Sequence, residues 1–318
     1  MDEISARLVY LFTDLILPLI VGYLLYQRRL LSDTAVNRLI RINVVAFFTL
    51  LSLFSFWALP LTRDLFMLPA FFALIILLPG FISWRFLGQR FHSPIDRGTH
   101  LVSALLSNIG TLGGICAYII YGERGFAYAQ IGSALQNLTM VMLAFPIAQY
   151  YYLLHKNHGR SARLEARGFL GLLVSWNQLS ILGMITGLLL NASGIARPPV
   201  LSEAFSYIIH IAAWFSMLPI GSLINFRRAR HFVYLTLDMI FLRFLLLPAV
   251  TFVTARIFIS DPIVQNTLVI FASAPAAINA TLAARLYHLN VDYTIAVFLV
   301  TTVLYLTILF PVTFFLFR

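Results

Sequence analysis

The sequence predicts an all-α integral membrane protein of about ten transmembrane helices, arranged as two inverted five-helix repeats with interrupted helices 4 and 9. Three observations carry that reading. Of 318 residues, 60% are hydrophobic and only 11% charged, with a mean hydropathy of +0.89; a soluble domain carries about 25% charged residues. Apolar runs of membrane-spanning length recur along nearly the whole chain, as helices crossing a bilayer require. Two of those runs share a cluster of helix-weakening residues. Barrel strands would be about ten residues long and alternating, and open sheets cannot span lipid, so neither fits these runs.

In chain order the spans fall at residues 7–27, 39–59, 66–87, 101–121, 126–154, 172–192, 203–225, 233–259, 264–288 and 292–317. The first lacks a basic leading region and a small-residue cleavage site, which sets it apart from a signal peptide. The net charge of +10 reads as topology and not as a nucleic-acid surface. Arg28, Arg29, Arg38 and Arg41 sit between spans 1 and 2, and Arg85, Arg90 and Arg97 between 3 and 4. Lys156, Arg160, Arg163 and Arg167 follow span 5; Arg227, Arg228 and Arg230 follow span 7; Arg285 closes span 9. These 15 of the 22 Lys and Arg residues share one side, against six on the other, with Arg243 inside a span. The basic side is expected in the cytoplasm, which puts both termini outside a multi-pass protein. No organelle signal stands out, so a plasma membrane is expected. The single cysteine, Cys116, lies mid-span as a buried, inert thiol.

The longest basic loop, "HKNHGRSARLEARGF", has five spans on either side, which divides the chain into repeats at 1–155 and 172–318 joined by 156–171. An odd number of spans per half makes any repeat inverted. At an offset of 166, "SNIGTLGGICAYIIYG" (107–122) overlies "SAPAAINATLAARLYH" (273–288), matching Ser107 with Ser273 and Tyr121 with Tyr287. Both windows begin with small, helix-weakening residues and end in an aromatic and a short loop. Glycine weakens a helix by about 1 kcal/mol relative to alanine, so these segments are built to come apart. Interrupted segments at corresponding positions of inverted halves point to the binding site of a secondary transporter. Half-helix N-termini there hold an anion without a charged side chain. Gly110, Gly113 and Gly114 permit the break in helix 4, Pro275 does so in helix 9, and Asn108 and Asn279 supply side-chain donors and acceptors. Tight small-residue helix packing is the alternative account of the glycines.

"SNIGTLGG" followed by "YGERGFAYAQIGSALQNL", together with "SAPAAINATLAARLYHLNVDYTIAVFLVTTVL", resembles the auxin efflux carrier family of membrane transporters. "LPLIVGYLLYQRRLLSDTAVNRL", "LLNASGIARPP" and "RFLLLP" extend the resemblance over most of the chain. It implies the bile-acid/sodium symporter architecture, with helices 4 and 9 crossing where they unwind and a second domain of helices 1, 2, 6 and 7. It implies small organic anions as substrates, including auxin, malate and malonate, and makes a homodimer plausible. The short middle loop is similar to that of bacterial members, hence a bacterial inner membrane. The resemblance places Asn108 and Asn279 at the polar site, Gly110, Gly113 and Pro275 around it, and Gln136 and Asn137 beside it in helix 5. The chain departs from the family at Ile115, Ala276 and Ala284, and at Pro219 and Trp214 of helix 7.

Ionisable residues inside spans are functional candidates by default. Asp14 would bind a proton or cation, or else lie near the outer surface. Asp238 and Arg243 are five residues apart, about 140° around a helix, and each needs another partner. Arg243 would act as an anion counter-charge or else reach the basic face. With no Asp or Glu in either interrupted segment, proton or sodium coupling would run through Asp14 or Asp238, or through Ser107, Ser273, Thr281 and backbone carbonyls. His155 and His158 read as a solvated helix end. No HExxH, GxSxG or convergent His/Asp set points to an enzyme, and no cofactor motif is present. A non-translocating sensor of the same fold is the alternative to a carrier.

Overall fold

The computed structural model describes residues 9–157, 179–224 and 230–317. The connecting loop from residue 158, residues 172–178 of span 6, and Arg7, His158, Arg160, Arg163, Arg167, Arg227, Arg228 and Arg318 lie outside them. The described residues are 86% helical, with no strand among them.

The first helix, α1, is Leu11–Gln27, and α2 is Asp33–Trp57. Ser32 starts α2 by accepting a hydrogen bond from the Ala35 N–H, six residues before the apolar run begins. α3 is Leu68–Arg85 and α4 Pro94–Leu105. The helical run Ile109–Lys156 is broken at Gly122, where φ is 63° and ψ −151°, a conformation only glycine takes cheaply. It therefore forms two helices, α5 (109–121) and α6 (123–156). α7 is Leu179–Ala192, α8 Val200–Ser222 and α9 Phe232–Phe258. α10 is Pro262–Ala272, α11 Asn279–Leu286 and α12 Val291–Phe317. Six stretches are long and apolar enough to cross a membrane: α2, Arg63–Arg90, Ile109–Lys156, α8, α9 and α12. This is the pattern of a membrane-embedded protein.

Small residues set the tightest helix contacts. A Cβ on Gly22 of α1 would lie 2.0 Å from the Leu218 carbonyl oxygen of α8, and one on Gly221 would lie 2.1 Å from that of Leu19. Both helices therefore touch backbone to backbone, as close-packed membrane helices do. α7 lies equally close on α2 through Gly183 and Gly187. Around them Phe71, Phe72, Ile115, Phe271 and Phe298 form the main apolar core.

Two helical stretches, 94–121 and 262–286, where spans 4 and 9 are expected, are each interrupted. α4 ends at Leu106, whose backbone is extended (φ −102°, ψ 118°), and α5 starts three residues on. α10 ends at Ser273, and α11 starts at Asn279. The two interruptions meet as an antiparallel bridge between Ser107 and Ala276. The Asn108 N–H donates to Pro275 O at 2.8 Å, and Ala277 N–H to Leu106 O at 2.9 Å. α4 and α10 both begin with proline, Pro94 and Pro262, which suits a first helical position. Those starts are 168 residues apart and the bridged pair 169, so the structural register differs from the offset of 166 that sequence identity favours.

Candidate functional site

Breaking a helix in an apolar interior frees backbone groups that need partners. At the crossing, side chains of neighbouring helices supply them. Gln136 of α6 accepts from the Ser107 N–H and hydroxyl, both at 3.2 Å, and its own amide donates to Ser107 O. Thr301 of α12 accepts from Ala276 N–H at 3.1 Å. Asn108 caps α5: its Oδ1 accepts from the Leu112 N–H at 3.4 Å and from the Thr111 hydroxyl. The Gly113 N–H reaches Asn108 O at 2.9 Å. The Asn108 Nδ2 is buried and has no hydrogen-bond partner among the described residues.

A cavity of about 320 Å³ opens beside the crossing, within the range of small-ligand sites. α5 and α11 both present their N-termini to it, through Asn108, Gly110 and Thr111 on one side and Ile278 and Asn279 on the other. The opposite wall comes from α2 and α8, with Asn43, Phe48, Phe215, Ser216 and Pro219. Its rim at Ile40, Leu223 and Leu286 is next in sequence to Arg41, to the stretch before Arg227, and to Arg285. Among the described residues, none that line it is ionisable. Asn43 donates to the Ser216 hydroxyl at 2.6 Å, while its Oδ1 is buried without a partner. The wall therefore holds an unpaired donor on one helix group and an unpaired acceptor on the other. Unpaired buried polar atoms are costly, and in residues that line a cavity they mark a place where a small side-chain shift lets a ligand or water supply the bond.

Of the residues singled out in the sequence, Ser107, Asn108, Gly110, Gln136, Asn137 and Asn279 line this cavity. Pro275 stands behind it and supplies the carbonyl for Asn108. Gly113 and Gly114 pack inward, where a Cβ would meet Asn108 O at 3.2 Å and the Ala129 Cβ at 3.3 Å. Ser273 donates to Val269 and Ile270 carbonyls, and the Thr281 hydroxyl is buried without a partner.

The ionisable candidates lie elsewhere. Asp14 is buried and bonds to His210 Nδ1 at 2.5 Å. Asp238 pairs with Arg90 and with His100, both at 2.8 Å. His100 is wholly buried and also bonds to the Ser83 hydroxyl at 2.6 Å. This Ser–His–Asp chain joins three helices, with His100 and Asp238 138 residues apart, which is why no local motif announces it. Ser83 is itself fully buried, so the arrangement ties α3, α4 and α9 together. Arg243 takes neither of its expected places: it is 0% exposed and donates from Nη2 to three carbonyls at the end of α4.

Away from the basic rim the two helix groups are joined by side chains. Arg197, after α7, pairs with Glu123 at the α5–α6 turn and donates to Phe54 O at 2.8 Å. Phe126 of α6 stands edge-on to Phe48 and Phe205 at 5.8 Å. Asn43, Ser216, Gln130 and Ser133 are cavity residues that sequence reasoning missed. Their only signal is an amide or hydroxyl inside an apolar run, as in "RINVVAFF". Compared with known proteins, the chain matches no family model and no curated protein.

Proposed function

We propose that the chain is a secondary transporter of small organic anions, of the carboxylate or auxin-like class, as in the auxin efflux carrier family that its sequence resembles. The observation that carries this reading is the pair of half-helix N-termini that line one cavity with no ionisable lining residue among the described residues. Each N-terminus stabilises a negative charge by about 0.3–1 kcal/mol, and by up to about 2 when partly buried. A carboxylate can thus be held by backbone N–H groups and the Asn108 amide while remaining free to leave. In this reading α1, α2, α3, α4 with α5, α6, α7, α8, α9, α10 with α11, and α12 are the ten membrane segments. Residues 1–155 and 172–318 are the inverted repeats, joined by 156–171.

Alternating access follows from the position of the cavity between two helix groups. α2, α7 and α8 form one wall, with α1 packed behind α8, and the crossing helices with α6 form the other. In this reading the cavity opens toward the basic rim, and Glu123–Arg197 and the Phe126 contacts hold the far side closed. Opening the far side requires those links to part as the crossing group moves. By the charge rule the rim faces the cytoplasm of a bacterial inner membrane, with both termini outside.

Flux of labelled malonate, malate and indole-acetate in proteoliposomes, with an imposed sodium gradient, a proton gradient or none, tests the proposal. Saturable flux that is lost in both Asn108→Ala and Asn279→Ala is expected. Flux untouched by either variant removes the site assignment and leaves a carrier. Binding of an acid without flux replaces transport with a sensor of the same fold.

A further inference from the structure

A positive side chain sits at the heart of the crossing with no acid to balance it. Arg243 lies on α9, in a stretch wound with wider i→i+5 hydrogen bonds (Leu242–Leu246), a departure often found at functional positions. Its guanidinium is 0% exposed, and among the described residues no carboxylate pairs with it. One nitrogen, Nη2, lies within hydrogen-bond distance of Ser103 O at 2.8 Å, Ala104 O at 2.9 Å and Leu106 O at 2.8 Å, its two hydrogens shared among the three. Nε and Nη1 have no partner.

Three carbonyl oxygens converging on a single point at the end of a broken helix describe a cation site. The C-terminal end of a helix carries partial negative charge and unsatisfied carbonyls, and in carriers with broken helices such ends coordinate sodium. Here the point of convergence is occupied by a nitrogen of the protein. Leu106 O also accepts from Ala277 N–H, so the same oxygen belongs to the bridge between the two interruptions. The occupant therefore touches the element on which the cavity is built.

We propose that Arg243 is a tethered cation filling the monovalent-cation cradle of the crossing, so that this crossing assembles without a free sodium ion. The tether also spares the crossing the entropy of capturing an ion. The inference rests on the carrier reading for its meaning, because it says which cation serves the crossing. Its test is stability, not flux, so failure of one is distinguishable from failure of the other.

Thermal unfolding of the full chain in detergent is compared in sodium, potassium and choline chloride, and with millimolar guanidinium chloride added. The wild type is expected to unfold at the same temperature in all three salts. Arg243→Ala is expected to unfold lower, and to regain about 3 °C or more with sodium or guanidinium relative to choline, since a ligand that binds only the folded state raises its midpoint. Sodium stabilisation of the wild type would overturn the proposal, because the cradle would then still take a free ion. A folded Arg243→Ala that answers to neither cation would overturn it as well. If Arg243→Ala does not fold, Arg243→Lys and Arg243→Met decide. The ammonium is expected to restore a stable, sodium-indifferent protein that the neutral side chain does not, and the reverse order overturns the proposal.

Discussion

Asn108 does two jobs with two different atoms, and they can be separated. Its Oδ1 caps α5 through the Leu112 N–H and the Thr111 hydroxyl, while Nδ2 is buried and unused by the protein. A cap is worth about 1 kcal/mol; at 3.4 Å the bond to Leu112 belongs at the lower end, near 0.5. A hydrogen bond from a buried amide to a carboxylate is worth about 1.5–3 kcal/mol, which is roughly 10- to 150-fold in affinity. Asn108→Ala removes both contributions. Asn108→Ser keeps an oxygen that caps as well as an amide does and replaces the amide donor by a hydroxyl one atom shorter. Unfolding temperature and saturable uptake are measured on both. Asn108→Ser is expected to unfold within about 2 °C of the wild type and still to lose at least about tenfold in apparent affinity. Wild-type uptake by Asn108→Ser would refute the reasoning, since the free donor would then have no ligand to serve.

Three further perturbations bear on the crossing and its supports. Gly110→Ala puts a Cβ 2.4 Å from Ser133 Oγ and 2.7 Å from its Cβ. It should cost about 1–3 kcal/mol in thermal unfolding, and adding Ser133→Gly should recover most of that. Gly22→Ala meets the Leu218 carbonyl at 2.0 Å, where no flexible atom can give way; a similar loss with no rescue from side-chain trimming is expected, and unchanged stability would deny the backbone contact. Glu123→Gln weakens the pair with Arg197, so cavity labelling from the face opposite the basic rim should rise. An unchanged labelling rate would show that the pair does not hold that side shut.

The interruptions were legible because their cause is local. Gly110, Asn108 and Pro275 weaken a helix wherever they stand, so two such clusters in apolar runs mark two breaks. The register between them was not legible: matching Ser107 with Ser273 lines up small residues, whereas the helices are set by Pro94 and Pro262 at their starts. Asn137 and Gln136 were found through the family resemblance, and Gln136 turns out to satisfy the Ser107 backbone. The far wall of the cavity escaped because Asn43 and Ser216 meet across 173 residues, with nothing periodic to announce them. The partners of Asp238 and Arg243 escaped for the same reason. Spacing showed that the two could not pair with each other, and only the tertiary fold brings His100 to one and the α4 carbonyls to the other.

The central claim is that the cavity beside the crossing is the substrate site of a carrier whose present opening is toward the basic rim. Ser180 lines that cavity from α7, and the lone Cys116 is fully buried. The measurement is the rate at which a membrane-impermeant maleimide labels Ser180→Cys, in a Cys116→Ala background, from each face of oriented vesicles. The account predicts labelling from the face bearing Arg41 and Arg285, slowed by a saturating acid that the protein transports. Labelling only from the opposite face, or a rate indifferent to the transported acid, would contradict it.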